Sequence, residues 1–340
     1  MDPKTADFIA GLPKAELHVH LEGTLEPSLV RELATRNQIP IPASLQTRTS
    51  GYDFHDLTSF LAVYYPNMSV LLTSSDFHDL AYSYLTKAHS QNVKHVEMFF
   101  DPQAHTSRGV PFSTIITGYR SAILQASREF SISASLIMCF LRDLDPKWAM
   151  DTLMQSLPYK DWIIGVGLDS DERNNPPSKF SSVFARARSE GYLLTMHCDI
   201  DQQNSIEHIR QALEDISVDR LDHGTNIVED DRLITLARDK GIGLTCCPVS
   251  NSVVTTDFKG KEISHLLKKG VRCTIASDDP AYFRAYMNEN LLKMLQVEGL
   301  GWKELVELQK NAFTISWISE TKRDGFLREL DDYAKRWGVA

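Results

Sequence analysis

The chain has 340 residues, 42% of them hydrophobic and 24% charged, and a formal net charge of -9. That length suits two ordinary domains or one α/β barrel, and the composition supplies a large core, which argues against a disordered chain. An acidic balance without a basic stripe argues against duplex binding and favours a small-molecule substrate over nucleic acid. No apolar run reaches about 18 residues, so no membrane span is expected. Met1 to Pro13 lack the basic start and apolar stretch of a signal peptide. The five scattered cysteines, Cys139, Cys198, Cys246, Cys247 and Cys273, read as reduced thiols of a cytoplasmic protein. None forms a CxxC pair, so a thiolate zinc site is not expected.

In chain order, apolar β-rich runs fall at 15–20, 93–100, 133–141, 162–168, 191–197, 218–223, 242–247 and 271–276, with helical stretches between them. Such alternation predicts a parallel sheet with helices outside, and eight strands are the number for a closed (β/α)8 barrel of the TIM type. An open doubly wound sheet holds as many, so the positions of the reactive side chains matter more. His18 and His20 end the first run, Asp101 follows the second and Asp169 the fourth. His197 ends the fifth and His223 the sixth, and Asp278 and Asp279 follow the eighth. In a parallel barrel all these strand ends open on one face, whereas an open sheet would spread them along a line too long for one metal. A helical insertion, roughly 25–90 and rich in aromatic residues, reads either as an excursion packed on the barrel or as a lid over its mouth. The segment 302–338 reads as closing helices, and the whole of 1–340 as a single barrel domain.

The chemistry begins with His18-Val19-His20. On a strand, residues i and i+2 share a face, so both imidazoles can grip one ion. Zinc suits imidazole and carboxylate ligands, and a catalytic zinc keeps one position open for water. An HxH pair alone is a weak signal, since two polar residues at a sheet end look the same. His197 adds a third donor, and Asp278, in Ser277-Asp278-Asp279-Pro280, an anionic fourth. Adjacent carboxylates repel unless a cation lies near, although a helix cap and turn before Pro280 is the bland alternative. Four such groups at strand ends of one barrel favour the metal. His223, in Asp222-His223-Gly224, can orient the water that attacks and stabilise developing charge, or can be a core histidine. His55, His78, His89, His208 and His265 read as surface residues. His95 and His105 lie near the second run, where Phe100-Asp101-Pro102-Gln103 could line the pocket without ligating.

These motifs resemble the adenosine/adenine deaminase family of the amidohydrolase superfamily. The matching pieces are Leu12-Pro13-Lys14-Ala15-Glu16-Leu17-His18-Val19-His20-Leu21-Glu22-Gly23, Phe100-Asp101-Pro102-Gln103 and Gly167-Leu168-Asp169-Ser170. They continue with Asp222-His223-Gly224, Cys247-Pro248-Val249-Ser250-Asn251 and Ser277-Asp278-Asp279-Pro280-Ala281-Tyr282-Phe283. The likeness runs in order over nearly the whole chain. It implies one zinc per chain on His18, His20, His197 and Asp278, with His223 polarising the attacking water. Asp279 would hold that water and accept from the N7 side of a purine. Glu22 stands where nucleoside enzymes carry an aspartate that reaches the ribose. With the GLDS and SDDPAYF stretches it points to the adenine branch, Glu22 facing the ring nitrogen that carries no sugar.

One departure stands out. Where the family reads His-Ala-Gly-Glu, its glutamate protonating N1, this chain reads His197-Cys198-Asp199-Ile200. Isoleucine carries no exchangeable proton. If the strand continues, Asp199 shares the face of His197 and becomes the candidate general acid, with Asp201 second. The expected activity is therefore hydrolytic deamination at C6 of adenine or an N6-substituted adenine, releasing ammonia or an amine. Two alternatives stay open: an amidohydrolase acting on another heterocycle, ester or amide, and a non-catalytic purine-binding relative.

Overall fold

The computed structural model describes residues 2–46, 51–198, 204–297 and 299–339. Asp199, Ile200 and Asp201 lie outside the described residues.

The strands are β1 (Lys14–His20), β2 (Val93–Phe100), β3 (Ser133–Leu141), β4 (Ile163–Asp169), β5 (Leu193–Leu194), β6 (His197–Cys198), β7 (Arg220–His223), β8 (Gly243–Cys246) and β9 (Arg272–Ile275). All pairings are parallel, in the orders β1-β2-β3-β4-β5 and β6-β7-β8-β9. The fifth apolar run is thus two short pieces, but the wall is continuous there. Thr195 donates its backbone N–H to Val166, and Met196 accepts from Asp222 on the other side. The last gap is closed by a bridge between Val19 and Asp278, in which Asp278 N–H bonds the carbonyl of His18 and His20 N–H that of Asp278. The expected closed (β/α)8 barrel is the observed fold, and all the strand C-termini open on one face.

Runs such as Ser133–Leu141, whose last six residues are apolar and buried on both faces, supply this wall. The main core lies between wall and helices. A separate small core of Phe99, Ile137 and Cys139, with Ile164 and Trp317 against it, is distinct from it. Arg220 of β7 lies over the Trp317 ring and pairs with Glu97 of β2. Between β1 and β2 the chain forms helices Pro27–Arg36, Ala43–Gln46, Leu57–Asn67 and Ser74–Ser90. The third is started by a capping box, with the Asp56 side chain accepting from Ser59 N–H at 2.7 Å. Helices Trp302–Ile315 and Glu320–Arg336 end the chain. His208, expected on the surface, is buried instead: its helix, Ser205–Arg210, turns that face inward. Among the described residues no helix is long and apolar enough to cross a membrane.

Candidate active site

Strand β1 brings His18 and His20 to the open face, β6 brings His197, and the turn after β9 brings Asp278. One donor atom of each lies within 4.8 Å of every other. His18 Nε2 is 3.1 Å and His20 Nε2 3.4 Å from Asp278 Oδ1, and the Nε2 atoms of His20 and His197 are 3.0 Å apart. The rest of each ring explains which nitrogen points inward. His197 Nδ1 lies 3.1 Å from the carbonyl of Leu168, which only accepts, so Nδ1 carries the proton and Nε2 presents a lone pair. Behind His18, the Thr245 hydroxyl donates to Asp222 Oδ1 at 2.8 Å. It can therefore only accept from His18 Nδ1, 2.9 Å away. The Ser250 hydroxyl donates to Asp278 Oδ2 at 2.6 Å, and Arg142 donates to the carbonyl of His197 at 2.7 Å.

The electrostatics suit a cation. Burial opposes a charge on His20, yet Asp279 and Asp278 overcome it and raise its pKa to about 10. Burial, reinforced by His18 and His20, holds His197 well below its ordinary range and keeps it neutral. Burial pushes Asp278 up, but the imidazoles beginning with His18 win and leave it ionised. Two imidazole nitrogens facing each other at 3.0 Å, a carboxylate beside them and the outward-bonded Nδ1 atoms of His18 and His197 form a donor set that fits a divalent ion of the zinc type.

His223 lies beside this cluster, Nε2 3.8 Å from Asp278 Oδ2, and neither ring nitrogen has a hydrogen-bond partner. Burial and His18 lower its pKa to about 3, so it is a neutral imidazole. Asp279 is also buried, with Oδ1 unpartnered, and burial together with the charge of Asp278 raises it well above the carboxylate range. All the described candidates except His18 and Glu22 border one cavity: His20, His197, His223, Asp278 and Asp279, joined by Asp101, Asp169, Ser170 and Ser250. The remaining wall is the helix Leu57–Asn67, through Leu57, Phe60, Leu61, Tyr64 and Tyr65, with Val254 and Phe283 opposite. Phe60 stacks on Phe283 at 5.3 Å between ring centroids, and the Tyr65 hydroxyl donates to Ser170 at 2.8 Å. One helix of the insertion thus lines the cavity.

Glu22 sits apart from the other candidates. Its Oε1 accepts from His105 Nε2 at 2.9 Å, Tyr119 hydroxyl at 2.9 Å and Asp101 N–H at 3.4 Å. Burial raises its pKa, but the bond from His105 brings it below its ordinary value. Sequence reasoning did not single out Thr245, Asp222, Ser250 or Arg142 as supports. The available signal was polar residues inside apolar strand runs, as Thr245 is in Gly243-Leu244-Thr245-Cys246.

Residues 13–333 match the family model described as adenosine deaminase. An uncharacterised deaminase of Schizosaccharomyces pombe is 51% identical over 332 residues, covering 97% of this chain and 98% of that protein. An adenine deaminase of Zymomonas mobilis is 45% identical, covering 96% and 97%. The crystal structure of adenine deaminase from Arthrobacter aurescens superposes with a TM-score of 0.90 at 36% identity, covering 95% of this chain and 99% of that one.

Proposed function

Because the chain belongs to the adenosine deaminase family and is a hydrolytic deaminase, we propose that it removes the 6-substituent of adenine or an N6-substituted adenine. Water adds at C6, the C6–N bond breaks, and a 6-oxopurine leaves with ammonia or an amine. The observation that carries this reading is the convergence of three imidazoles and a carboxylate, with a neutral His223 and a buried Asp279 beside them, under an apolar cover.

His18, His20, His197 and Asp278 would hold one zinc per chain, which when bound supplies the Lewis acidity that makes water a nucleophile at neutral pH. His223 is in position to take the proton of the attacking water and to face the charge that develops on oxygen. Asp279, at the helix start Pro280–Phe283, is assigned to hold that water and to meet the N7 side of the base. Asp199 is assigned the proton for N1. The helix Leu57–Asn67 excludes bulk water, and the apolar residues Leu57, Phe60, Leu61, Val254 and Phe283 leave a wall compatible with an alkyl group on the 6-amine. Five buried cysteines, none in a disulfide, fit the cytoplasmic location expected for the chain.

Elemental analysis together with a panel of purines, followed for ammonia or amine release, tests the proposal. The expected result is about one zinc per chain and release from adenine or an N6-substituted adenine. A metal-free preparation with full activity would sink the metal assignment. Turnover confined to esters or non-purine amides would sink the substrate.

A further inference from the structure

A purine base differs from its nucleoside at one edge: the five-membered ring carries an N–H where the nucleoside carries a sugar. The resemblance assigns that edge to Glu22, but Glu22 is not among the residues lining the cavity: its Oε1 serves His105, Tyr119 and Asp101 N–H, and its Oε2, although unpartnered, lies behind the side chains of the cavity wall rather than in it. Two other carboxylates do line it. Asp101 follows β2 and Asp169 ends β4; they are 1% and 3% exposed. Beyond the contacts the two carboxyls make with each other and Asp169 makes with Cys139, Asp101 Oδ1 and both oxygens of Asp169 have no hydrogen-bond partner. Among the described residues no lysine or arginine lines the cavity. Buried acceptors without donors are costly, so such a pair is expected to meet a donor that arrives with a ligand.

Position narrows which donor. His20 acts as a spacer: its Nε2 faces His197 and Asp278, and its Nδ1 lies 3.5 Å from Asp169 Oδ2. The ligand cluster and the acid pair are thus separated by about the length of one imidazole and its contacts. That is the scale of a fused bicycle from its 6-position to the far ring nitrogen. A second, independent group completes the edge. Tyr64, from the helix Leu57–Asn67, lines the same cavity with its hydroxyl buried, in reach of Asp279. Its phenol supplies a donor of the kind the N3 acceptor next to N9–H requires.

We propose that Asp101, backed by Asp169, is the specificity-determining acceptor for the N9–H of the free base, and that Glu22 is a positioning residue that holds Asp101 through its backbone N–H. This rests on the purine reading above and deepens it: the substrate class is the N9-unsubstituted base, not the nucleoside.

The test is a cycle of two enzymes and two substrates, using the zinc-loaded full chain: wild type and Asp101→Ala, each with adenine and 9-methyladenine. If an N6-substituted adenine is the better substrate, that base and its 9-methyl counterpart replace them. A site that hydrogen-bonds a substrate N–H discriminates strongly against the analogue lacking it, so the wild type should prefer the free base in kcat/KM on the order of 10³-fold or more. In Asp101→Ala that preference should collapse by on the order of 10², with the loss falling on the free base and mainly on KM. Zinc content and Tm report whether the site and fold remain. A preference that survives in Asp101→Ala within about threefold overturns the proposal, because cavity shape would then do the discriminating. If the alanine variant does not fold, Asp101→Ser takes its place. The wild-type pair decides independently: comparable turnover of 9-methyladenine rejects the idea outright. A wild type that releases nothing from any free base, N6-substituted or not, fails the purine reading itself, a different and recognisable result.

Discussion

The support behind His18 yields the sharpest quantitative expectation. Thr245, fully buried in β8, has one hydroxyl proton and gives it to Asp222 Oδ1 at 2.8 Å. Its oxygen therefore accepts from His18 Nδ1, fixing the tautomer that leaves Nε2 free beside Asp278. Asp222 Oδ2 takes a further donor, the Thr195 hydroxyl, at 2.7 Å. Thr245→Val keeps the shape and removes the hydroxyl. His18 loses its orienting acceptor, and a buried carboxylate loses one of its two hydroxyl donors. An unsatisfied buried group costs about 1–3 kcal/mol, so Tm should fall measurably. Loss of a group that orients a metal-binding histidine typically weakens metal affinity about 10–100-fold, or about 1.4–2.7 kcal/mol. Competition for zinc against a chelator of known affinity at fixed pH reads that number directly. Thr245→Ser, which restores the hydroxyl, should recover most of the affinity even though it loses a methyl contact. A valine variant that binds zinc within twofold of wild type refutes the tautomer argument.

Three further outcomes are expected. His223→Ala should keep its zinc and lose turnover by ~10²–10⁴, as for a lost acid/base or charge-stabilising group; loss of zinc along with activity would make His223 a ligand instead. Asp199→Asn should lower turnover by on the order of 10² with zinc retained, and Asp201→Asn should do less; near-normal turnover in Asp199→Asn would place the N1 proton elsewhere. Gly23→Ala should cripple the enzyme, because a methyl there would lie 2.0 Å from Asp279 Oδ1 and 2.7 Å from Asp279 Cα. The backbone cannot yield cheaply, so about 1–3 kcal/mol of strain and a displaced Asp279 are expected, read as a lower Tm and a reduced kcat/KM.

The convergence of the proposed ligands was legible in the sequence because it depends on local periodicity. His18 and His20 share a face by the two-residue strand repeat, and His197 and Asp278 sit where apolar runs stop. What was not legible depends on contacts distant in the chain. The fifth run reads as one strand, but its pairing shifts from β4 to β7 within a few residues, which breaks it into β5 and β6. His208 looked like a surface residue from its polar neighbours, which do not tell which face of a helix packs inward. The hydrogen bonds of Glu22 go to His105 and Tyr119, which lie 83 and 97 residues away and which no spacing rule links to it.

Backbone conformation adds a reason for these residue types beyond their chemistry. His223, the last residue of β7, and Asp278, in the turn after β9, both adopt left-handed conformations, with φ of 56° and 65°. Most side chains are costly there, but aspartate and histidine are among the non-glycine residues that enter that region most readily. Strain of order 1–3 kcal/mol persists only where the surroundings fix it, and here they do: Asp278 is bridged to β1 through both its N–H and its carbonyl, and Gly224 after His223 donates to the carbonyl of Cys198. The abrupt turn lets a residue leave the strand repeat and present its side chain across the barrel mouth. The two residues proposed to act together on the attacking water, one through the metal and one directly, are thus both residues whose backbones leave the strand conformation. Their identity is constrained twice, by the chemistry at Nε2 and Oδ and by the φ angle that delivers it.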